Sequence, residues 1–257
     1  MYKSLTLPLK KSKINIIKYN KNIMKILKSQ IIGLGPNSNL VKTYKESLKN
    51  LSKIQFEIAI GLMLGDASLQ TQNKGKNYRM KFEWGEKNKP YLDHVYNLFD
   101  EWVLAKPHVK ARVNVNDNLV INWAFQTISH EAFNILSELF LINKNNKKGI
   151  SKELIKNHLT RRGLAFWFMD DGGKLDYNKK SKNLSVVLNT HSFTKEEVEI
   201  MTLELSNKFK LNCSIRNNKG KSVIVIDSSS FNTFNRLIKP YLIPEMEYKL
   251  PIQITIN

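Results

Sequence analysis

The chain has 257 residues, which is enough for one large domain or two small ones around a hydrophobic core. It carries 41 Lys and Arg residues against 22 Asp and Glu residues, and the net charge of +19 predicts a polyanionic partner. A membrane surface is the rival partner, but no apolar run approaches the ~20 residues that span a bilayer, so we predict no membrane association. The single cysteine, Cys213, excludes an intramolecular disulfide and a cysteine-based zinc site.

The first 30 residues contain eight lysines and no acidic residue. This composition is typical of a flexible tail, with a transit peptide or a basic arm along phosphates as the alternatives. Four segments are predicted on this basis and from the patterns described next: a basic, flexible tail at 1–36, an N-terminal repeat at 37–143, a linker at 144–151 and a C-terminal repeat at 152–257.

The elements of the first repeat are predicted from its hydrophobic periodicity. After a short amphipathic helix, an apolar helix begins at a capping box of Ser52 and Gln55 and ends at Gly65 and Asp66. The period then changes from helical to two, which is typical of strands. The predicted elements around the apolar helix are a helix at 38–50, a hairpin turning at 73–76, a helix at 88–104, a hairpin turning at 116–118 and a helix at 129–142.

The second half repeats this order. An apolar helix at 160–171 ends in two aspartates and two glycines, and a later helix begins at a capping box of Thr194 and Glu197. The remaining elements are a hairpin at 174–192, a hairpin with its tip at 217–220 and a helix at 229–240. The ends of the halves align as Phe133 with Phe234, Leu136 with Leu237, Phe140 with Tyr241, Ile142 with Ile243 and Lys148 with Lys249. The chain is therefore an internal duplication.

Each half has a carboxylate just past the end of its apolar helix, Asp66 in the first and Asp171 in the second. Both helices are too apolar to face water, and Ala59, Gly61 and Gly65 allow a close parallel contact between them. Two carboxylates at two negative helix ends repel each other, and a divalent cation would remove that cost. A basic chain with paired acids on a twofold axis indicates metal-dependent phosphodiester chemistry on both strands of a duplex.

The segments "AIGLMLGDA" (59–67) and "LAFWFMDDG" (164–172) resemble two copies of the LAGLIDADG motif. The chain therefore resembles the LAGLIDADG homing endonucleases in their monomeric, two-repeat form, and in particular the mitochondrial omega-intron type. The resemblance extends over roughly residues 31–253 and leaves the basic N-terminal residues outside it. The second copy departs from the motif at Phe166 and Trp167, so we expect the twofold symmetry to break there.

The resemblance implies an α+β fold of two pseudo-symmetric αββαββα repeats, packed through their LAGLIDADG helices, with the strands forming a DNA-binding saddle. Asp66 and Asp171 would hold Mg²⁺, with the backbone carbonyls of Gly65 and Asp170 as further candidates and Lys148 and Lys249 beside the two sites. Mn²⁺ is expected to substitute, and Ca²⁺ to bind without supporting cleavage. The implied activity is cleavage of a long asymmetric DNA site with 3′ overhangs, by a mitochondrial monomer that promotes intron mobility.

Each of these residues also has a simpler interpretation. Asp66 and Asp171 could be helix-end acids satisfied by backbone N–H groups, and Lys148 and Lys249 could be solvated lysines. The Asp170 side chain is interpreted as a supporting or capping neighbour. Phe82, Trp84, Trp102 and Trp123 alternate with polar residues and are interpreted as core.

Polar and basic residues on the predicted hairpins are the candidates for DNA contact, because Gln and Asn can address adenine while Arg and Lys address guanine or phosphate. They are Gln70, Gln72, Lys74, Lys76, Arg79, Lys81, Lys174, Tyr177, Asn178, Lys180, Arg216, Asn217, Lys219 and Lys221. Two other functions stay open, an RNA maturase that binds its intron RNA and a catalytically inactive DNA-binding protein.

Overall fold

The computed structural model describes residues 26–142, 147–178 and 182–251. It contains two repeats, each with the predicted order of helix, hairpin, helix, hairpin and helix. The N-terminal repeat comprises α1 (Asn39–Ser47), α2 (Lys53–Leu64), β1 (Ser68–Thr71), β2 (Tyr78–Gly85), α3 (Lys89–Leu98), β3 (His108–Val113), β4 (Leu119–Gln126) and α4 (Asn134–Phe140).

The C-terminal repeat follows the same plan after one additional short helix that the sequence did not predict. Its elements are α5 (Leu154–His158), α6 (Arg161–Asp171), β5 (Gly172–Lys174), β6 (Val186–Leu188), α7 (Lys195–Phe209), β7 (Cys213–Asn218), β8 (Lys221–Ile226) and α8 (Phe231–Ile238). The first hairpin of this repeat is much shorter than predicted, because only three residues of each strand pair.

Each repeat contributes one antiparallel four-stranded sheet. The strand orders are β1-β2-β4-β3 and β5-β6-β8-β7, so the two sheets have the same topology. The main hydrophobic core of the described residues extends through both repeats, and Phe82, Trp84 and Trp102 are buried in it as predicted. Trp123 is half-buried, with the Lys89 ammonium 4.7 Å from the centre of its ring.

Both predicted capping boxes are formed. The Ser52 hydroxyl accepts the Gln55 N–H at 3.2 Å, and the Gln55 side chain accepts the Ser52 N–H at 3.0 Å. Thr194 and Glu197 make the same reciprocal pair at the start of α7. These contacts satisfy N–H groups that have no partner within the helix, which is why the two helices begin where the sequence predicted.

The helices α2 and α6 pack side by side in parallel at the centre of the molecule. Their contacts proceed in register, from Glu57 against Arg162 at one end to Gly65 against Asp170 at the other. A Cβ on Gly61 would lie 2.1 Å from the carbonyl oxygen of Gly163, so the helix backbones touch where glycine leaves room. The sequence predicted the small residues on α2 and did not identify Gly163 on α6.

Three predicted helices are shorter in the structure because each ends in, or begins with, a tight 3-10 turn. The turns cover Asp100–Trp102, Glu131–Phe133 and Lys239–Tyr241. In the last case Pro240 lacks the N–H that would continue α8.

The predicted tail at 1–36 needs a correction at its C-terminal end. Ile31 is 1% exposed and packs with Val41 and Tyr44 of α1, and the Lys28 ammonium donates to Asp100. Burial of Ile31 holds residues 26–36 against the N-terminal repeat, so these residues are not part of a flexible tail. Residues 1–25, and residues 144–146 of the predicted linker at 144–151, lie outside the described residues. Within the described ranges, no helix is long and apolar enough to cross a membrane.

Candidate active site

Asp66 and Asp171 meet at the C-terminal ends of the paired helices. Both line one open cavity of about 340 Å³, together with Lys148, Asn189 and other polar residues. Parallel packing of α2 and α6 places the two ends beside each other, as the sequence predicted. The structure therefore brings together residues that are 105 positions apart in the chain.

The pKa of each of these two carboxyl groups is raised above the usual value of an aspartate. Displacement of water by surrounding protein raises the pKa of Asp66, and the ammonium groups of Lys148 and Lys249 oppose that shift. Burial, followed by repulsion from Asp66, raises the pKa of Asp171 to about 7. Asp66 thus opposes the ionisation of Asp171, which is the condition that a bound cation would relieve.

Lys148 and Lys249 occupy equivalent places in the two repeats. The Lys148 ammonium donates to the carbonyl of Gly65, and the Lys249 ammonium donates to the carbonyl of Asp170 at 2.7 Å. Each lysine therefore binds the peptide carbonyl directly before its repeat's acid. Burial lowers the pKa of both ammonium groups, while the three nearby aspartates oppose the shift.

The Asp170 side chain points across the repeat interface. Its Oδ2 accepts the backbone N–H of Asp66 at 3.1 Å, and its Oδ1 accepts the indole N–H of Trp84 at 3.1 Å. Burial, with the charges of Asp66 and Asp171, raises its pKa well above the usual range. Both oxygens are engaged by the N-terminal repeat, as expected of a supporting neighbour.

Asp171 is held by its own repeat. It is still within α6, and its carbonyl accepts both the backbone N–H and the side-chain amide of Asn189, each at 2.9 Å. Asn189 lies directly after β6 and lines the same cavity as the two acids. The sequence analysis did not identify this residue, because its function depends on the pairing of β5 with β6.

The oxygen-rich donor set fits a hard divalent cation shared with substrate. Among the described residues, no three His, Cys, Asp or Glu side chains form a metal cluster, so protein side chains alone would not enclose an ion. One or two carboxylates together with phosphate oxygens of a substrate are nevertheless the usual ligands of Mg²⁺ in proteins. The Gly65 and Asp170 carbonyls accept lysine hydrogen bonds here, and their predicted coordination of metal stays a prediction.

One face of the N-terminal sheet is polar and largely basic. Cross-strand pairing places Gln70 opposite Arg79, whose guanidinium donates to the Gln70 side chain at 2.6 Å, and Lys81 follows on the same face. Lys81 also lines a cavity of about 260 Å³ that includes Asp66. The predicted residues Gln72, Lys74 and Lys76 lie exposed in the turn of this hairpin.

The edge strand β3 adds basic residues to this face that the sequence analysis missed. His108, Lys110 and Arg112 alternate with apolar residues, and pairing of Lys110 with Asn122 puts them on the side of Lys81. The Lys110 ammonium lies 2.7 Å from Glu83, whose pKa it lowers. The alternation was present in the sequence, but the sequence analysis did not single out these three residues.

The predicted contacts of the C-terminal sheet divide between its two sides. Arg216 and Lys221 lie exposed on the side opposite the core, while pairing puts Lys174 and Asn217 on the side of the core residues Val186 and Ile224. Asn217 Oδ1 accepts the Gly220 N–H and thereby shapes the turn. Tyr177, Asn178 and Lys219 are exposed, and Lys180 lies outside the described residues.

The model of the LAGLIDADG DNA endonuclease family matches residues 56–234, which include most of α2, all of α6 and both sheets. The chain belongs to this family. A relative from Wickerhamomyces canadensis, described as probable intron-encoded endonuclease 1, is 49% identical over 88% of this chain and 96% of its own length. The family and fold predicted from the two motif copies are thus confirmed.

Two other similar proteins differ in their described activities. The solved structure of the homing endonuclease I-WcaI, bound to its DNA recognition sequence, has a TM-score of 0.84 and 47% identity, covering 89% of this chain and 100% of that one. The cytochrome b mRNA maturase bI2 of Saccharomyces cerevisiae is 31% identical over 82% of this chain, which spans 52% of the maturase.

The two LAGLIDADG helices make different side-chain contacts where their sequences differ. Phe166 is the counterpart of Gly61, and its ring lies 5.9 Å from His94 and 6.2 Å from Tyr91 in the other repeat. Trp167 is fully buried, and its indole N–H has no hydrogen-bond partner within the described ranges. The interface therefore departs from twofold symmetry at Phe166, as the sequence predicted.

Proposed function

We propose that this chain is a site-specific homing endonuclease that hydrolyses both strands of a long, asymmetric DNA site with Mg²⁺. The observation that supports it best is the meeting of Asp66 and Asp171 in one cavity at the ends of the two paired helices. The relatives described as an intron-encoded endonuclease and a cytochrome b mRNA maturase favour intron mobility and a mitochondrial location as parts of this proposal. The 3′ overhangs are part of it because the family resemblance implies them. One chain supplies both acids, so we propose a monomer.

The residues of the site have separate tasks in this proposal. A bound Mg²⁺ would be held by Asp66 and Asp171 with phosphate oxygens, and would supply an activated water and charge stabilisation. Lys148 and Lys249 place positive charge beside each acid and can donate hydrogen bonds to a phosphate or its hydration shell. Asn189 fixes the Asp171 backbone and so the direction of its carboxylate.

The polar sheet faces supply the DNA contacts. Arg79, Lys81, Lys110 and Arg112 on the N-terminal sheet, with Arg216 on the other, can bind phosphates or guanine edges. Such contacts release counterions, so affinity should decrease steeply with salt concentration.

Cleavage of DNA carrying the intron-insertion sequence tests this proposal. Wild-type protein with Mg²⁺ should give linear product with 3′ overhangs, Mn²⁺ should replace Mg²⁺, and Ca²⁺ should support binding alone. Asp66→Asn and Asp171→Asn should lower the rate by about 10³-fold or more. Asp93→Asn, a surface acid paired with Lys89, is the matched control and should cut normally. Binding without cutting by wild-type protein would refute the endonuclease.

Assistance to splicing is a second candidate function, because one similar protein is described as an mRNA maturase. A maturase should bind its intron RNA in competition with nonspecific RNA and increase splicing in vitro. Asp66→Asn should abolish DNA cleavage and leave this assistance intact, since RNA binding does not need the carboxylate pair. Equal splicing rates with and without protein would exclude this function.

A further inference from the structure

We propose that Asp170 is a positioning residue that fixes Asp66 from the opposite repeat, so that the two cleavage sites are supported unequally. The proposal deepens the endonuclease function and rests on it. Asp170 directly precedes Asp171, yet its side chain serves the other acid through the backbone N–H of Asp66.

Asp66 needs this contact because it lies outside a helix. The helix α2 ends at Leu64, and Gly65 follows with φ −91° and ψ −133°, which turns the chain away from the helical path. The 3.1 Å bond from the Asp66 N–H to Asp170 Oδ2 therefore helps to fix the peptide that carries the Asp66 carboxylate. Asp171 is still helical and is held through its carbonyl by Asn189.

The contact has no counterpart on the other side of the pseudo-twofold axis. The position equivalent to Asp170 is Gly65, which has no side chain to reach back to Asp171. A Cβ on Gly65 would lie 2.4 Å from both Cβ and Oδ2 of Asp170, so the glycine provides the space that the acid fills. The interface centre holds one such side chain, and it serves Asp66.

Trp84 completes the arrangement by fixing the direction of the Asp170 carboxyl. Its indole N–H donates to Asp170 Oδ1 at 3.1 Å, and Asp170 is only 9% exposed. An asparagine at 170 would keep the shape but offer only one acceptor, leaving either the Trp84 or the Asp66 N–H opposite an amide donor.

Strand-specific kinetics test the inference in the full-length protein. With the two DNA strands labelled differently and Mg²⁺ present, Asp170→Asn should slow cleavage of one strand by about tenfold and leave the other within about twofold. Equal slowing of both strands, or an unchanged ratio, would overturn the inference.

Amide hydrogen exchange of the free protein provides a readout that does not depend on cleavage. By ¹⁵N NMR, the Asp66 amide should exchange about tenfold faster in Asp170→Asn, with the Asp171 amide unchanged. Trp84→Phe, which keeps the Asp170 carboxyl, should increase the exchange rate of the Asp66 amide by a smaller factor. It is the test variant if Asp170→Asn does not fold. Unchanged Asp66 exchange would refute the contact, whereas absence of cutting by wild-type protein would refute only the endonuclease proposal.

Discussion

Glu57 and Arg162 occupy equivalent positions in the two LAGLIDADG helices and carry opposite charges, with Arg162 Nη1 2.5 Å from Glu57 Oε2. The two side chains are only 13% and 26% exposed, and the guanidinium also lies over the Tyr241 ring. Two copies of the same helix would place like charges at this point. The ion pair therefore favours the pairing of the two different repeats over the pairing of identical ones.

Breaking this pair should destabilise the protein. Arg162→Met leaves Glu57 partly desolvated without its partner, and we expect the free energy of unfolding to decrease by about 1–3 kcal/mol in urea titrations. The double variant Glu57→Arg with Arg162→Glu should recover part of the loss. Lys195→Met breaks an exposed pair at 3.9 Å and should cost less than about 0.5 kcal/mol. Equal losses in both single variants would contradict the role of the central pair.

The closest contact of the two helices is expected to be sensitive to a single methyl group. Gly61→Ala would place its Cβ 2.1 Å from the Gly163 carbonyl oxygen, which the rigid helix backbone cannot avoid without separation. We expect a loss of about 3 kcal/mol or more in the free energy of unfolding. Gly35→Ala is the control, because nothing lies within 4 Å of its added Cβ. A stable Gly61→Ala protein would show that the helices pack less closely.

The sequence predicted this architecture where local patterns decide the outcome. The capping boxes at Ser52 and Thr194 follow from neighbouring residues, and the equivalence of Lys148 with Lys249 follows from the duplication. The bond from Asp66 to the Asp170 side chain joins distant parts of the chain and depends on how closely α2 approaches α6. Periodicity predicts the apolar faces of the helices but not the distance between them. This contact and the role of Asn189 could therefore be identified only from the folded structure.

The two lysines are expected to contribute to catalysis far more than to DNA affinity. Lys148→Met and Lys249→Met should each lower the cleavage rate by about 10–100-fold, because each removes a positive charge beside one acid. Since the lysines bind equivalent carbonyls, the two losses should be similar. Single-turnover rates and binding measured in Ca²⁺ separate the two effects. The control variant Lys147→Met, at an exposed neighbouring position, should cut normally. A loss of DNA affinity in the Lys148 variant as large as its loss of cleavage rate would contradict a catalytic role.

The edge strand β3 should be part of the DNA-binding face. Arg112→Met should weaken binding and decrease the slope of log affinity against log salt concentration by about 0.9, the value for one phosphate contact. Fluorescence anisotropy at several salt concentrations measures this slope. Lys195→Met removes one charge from α7, away from the proposed DNA-binding sheet faces, and should leave the slope unchanged. Equal effects of the two variants would indicate only a general loss of charge.

The paired acids should destabilise the fold as pH rises. An unfolded aspartate has a pKa of about 3.9, and the Asp171 pKa is about 7 in the fold. Between these values the folded protein binds more protons, so the free energy of unfolding should fall as pH rises from about 4 to 7. Asp171→Asn removes this penalty. It should be more stable than wild type by about 1–3 kcal/mol at pH 8, after allowance for partial solvent exposure, and similar to wild type at pH 4.

Denaturant titrations at the two pH values, with Asp93→Asn as the control, measure this difference. Ca²⁺ at pH 8 should then stabilise wild type and have little effect on Asp171→Asn, because a cation bound to the folded state offsets the repulsion of the two carboxylates. An Asp171→Asn protein that is less stable than wild type at pH 8 would show that the fold tolerates both ionised acids without strain, and would remove the electrostatic argument for a cation between them.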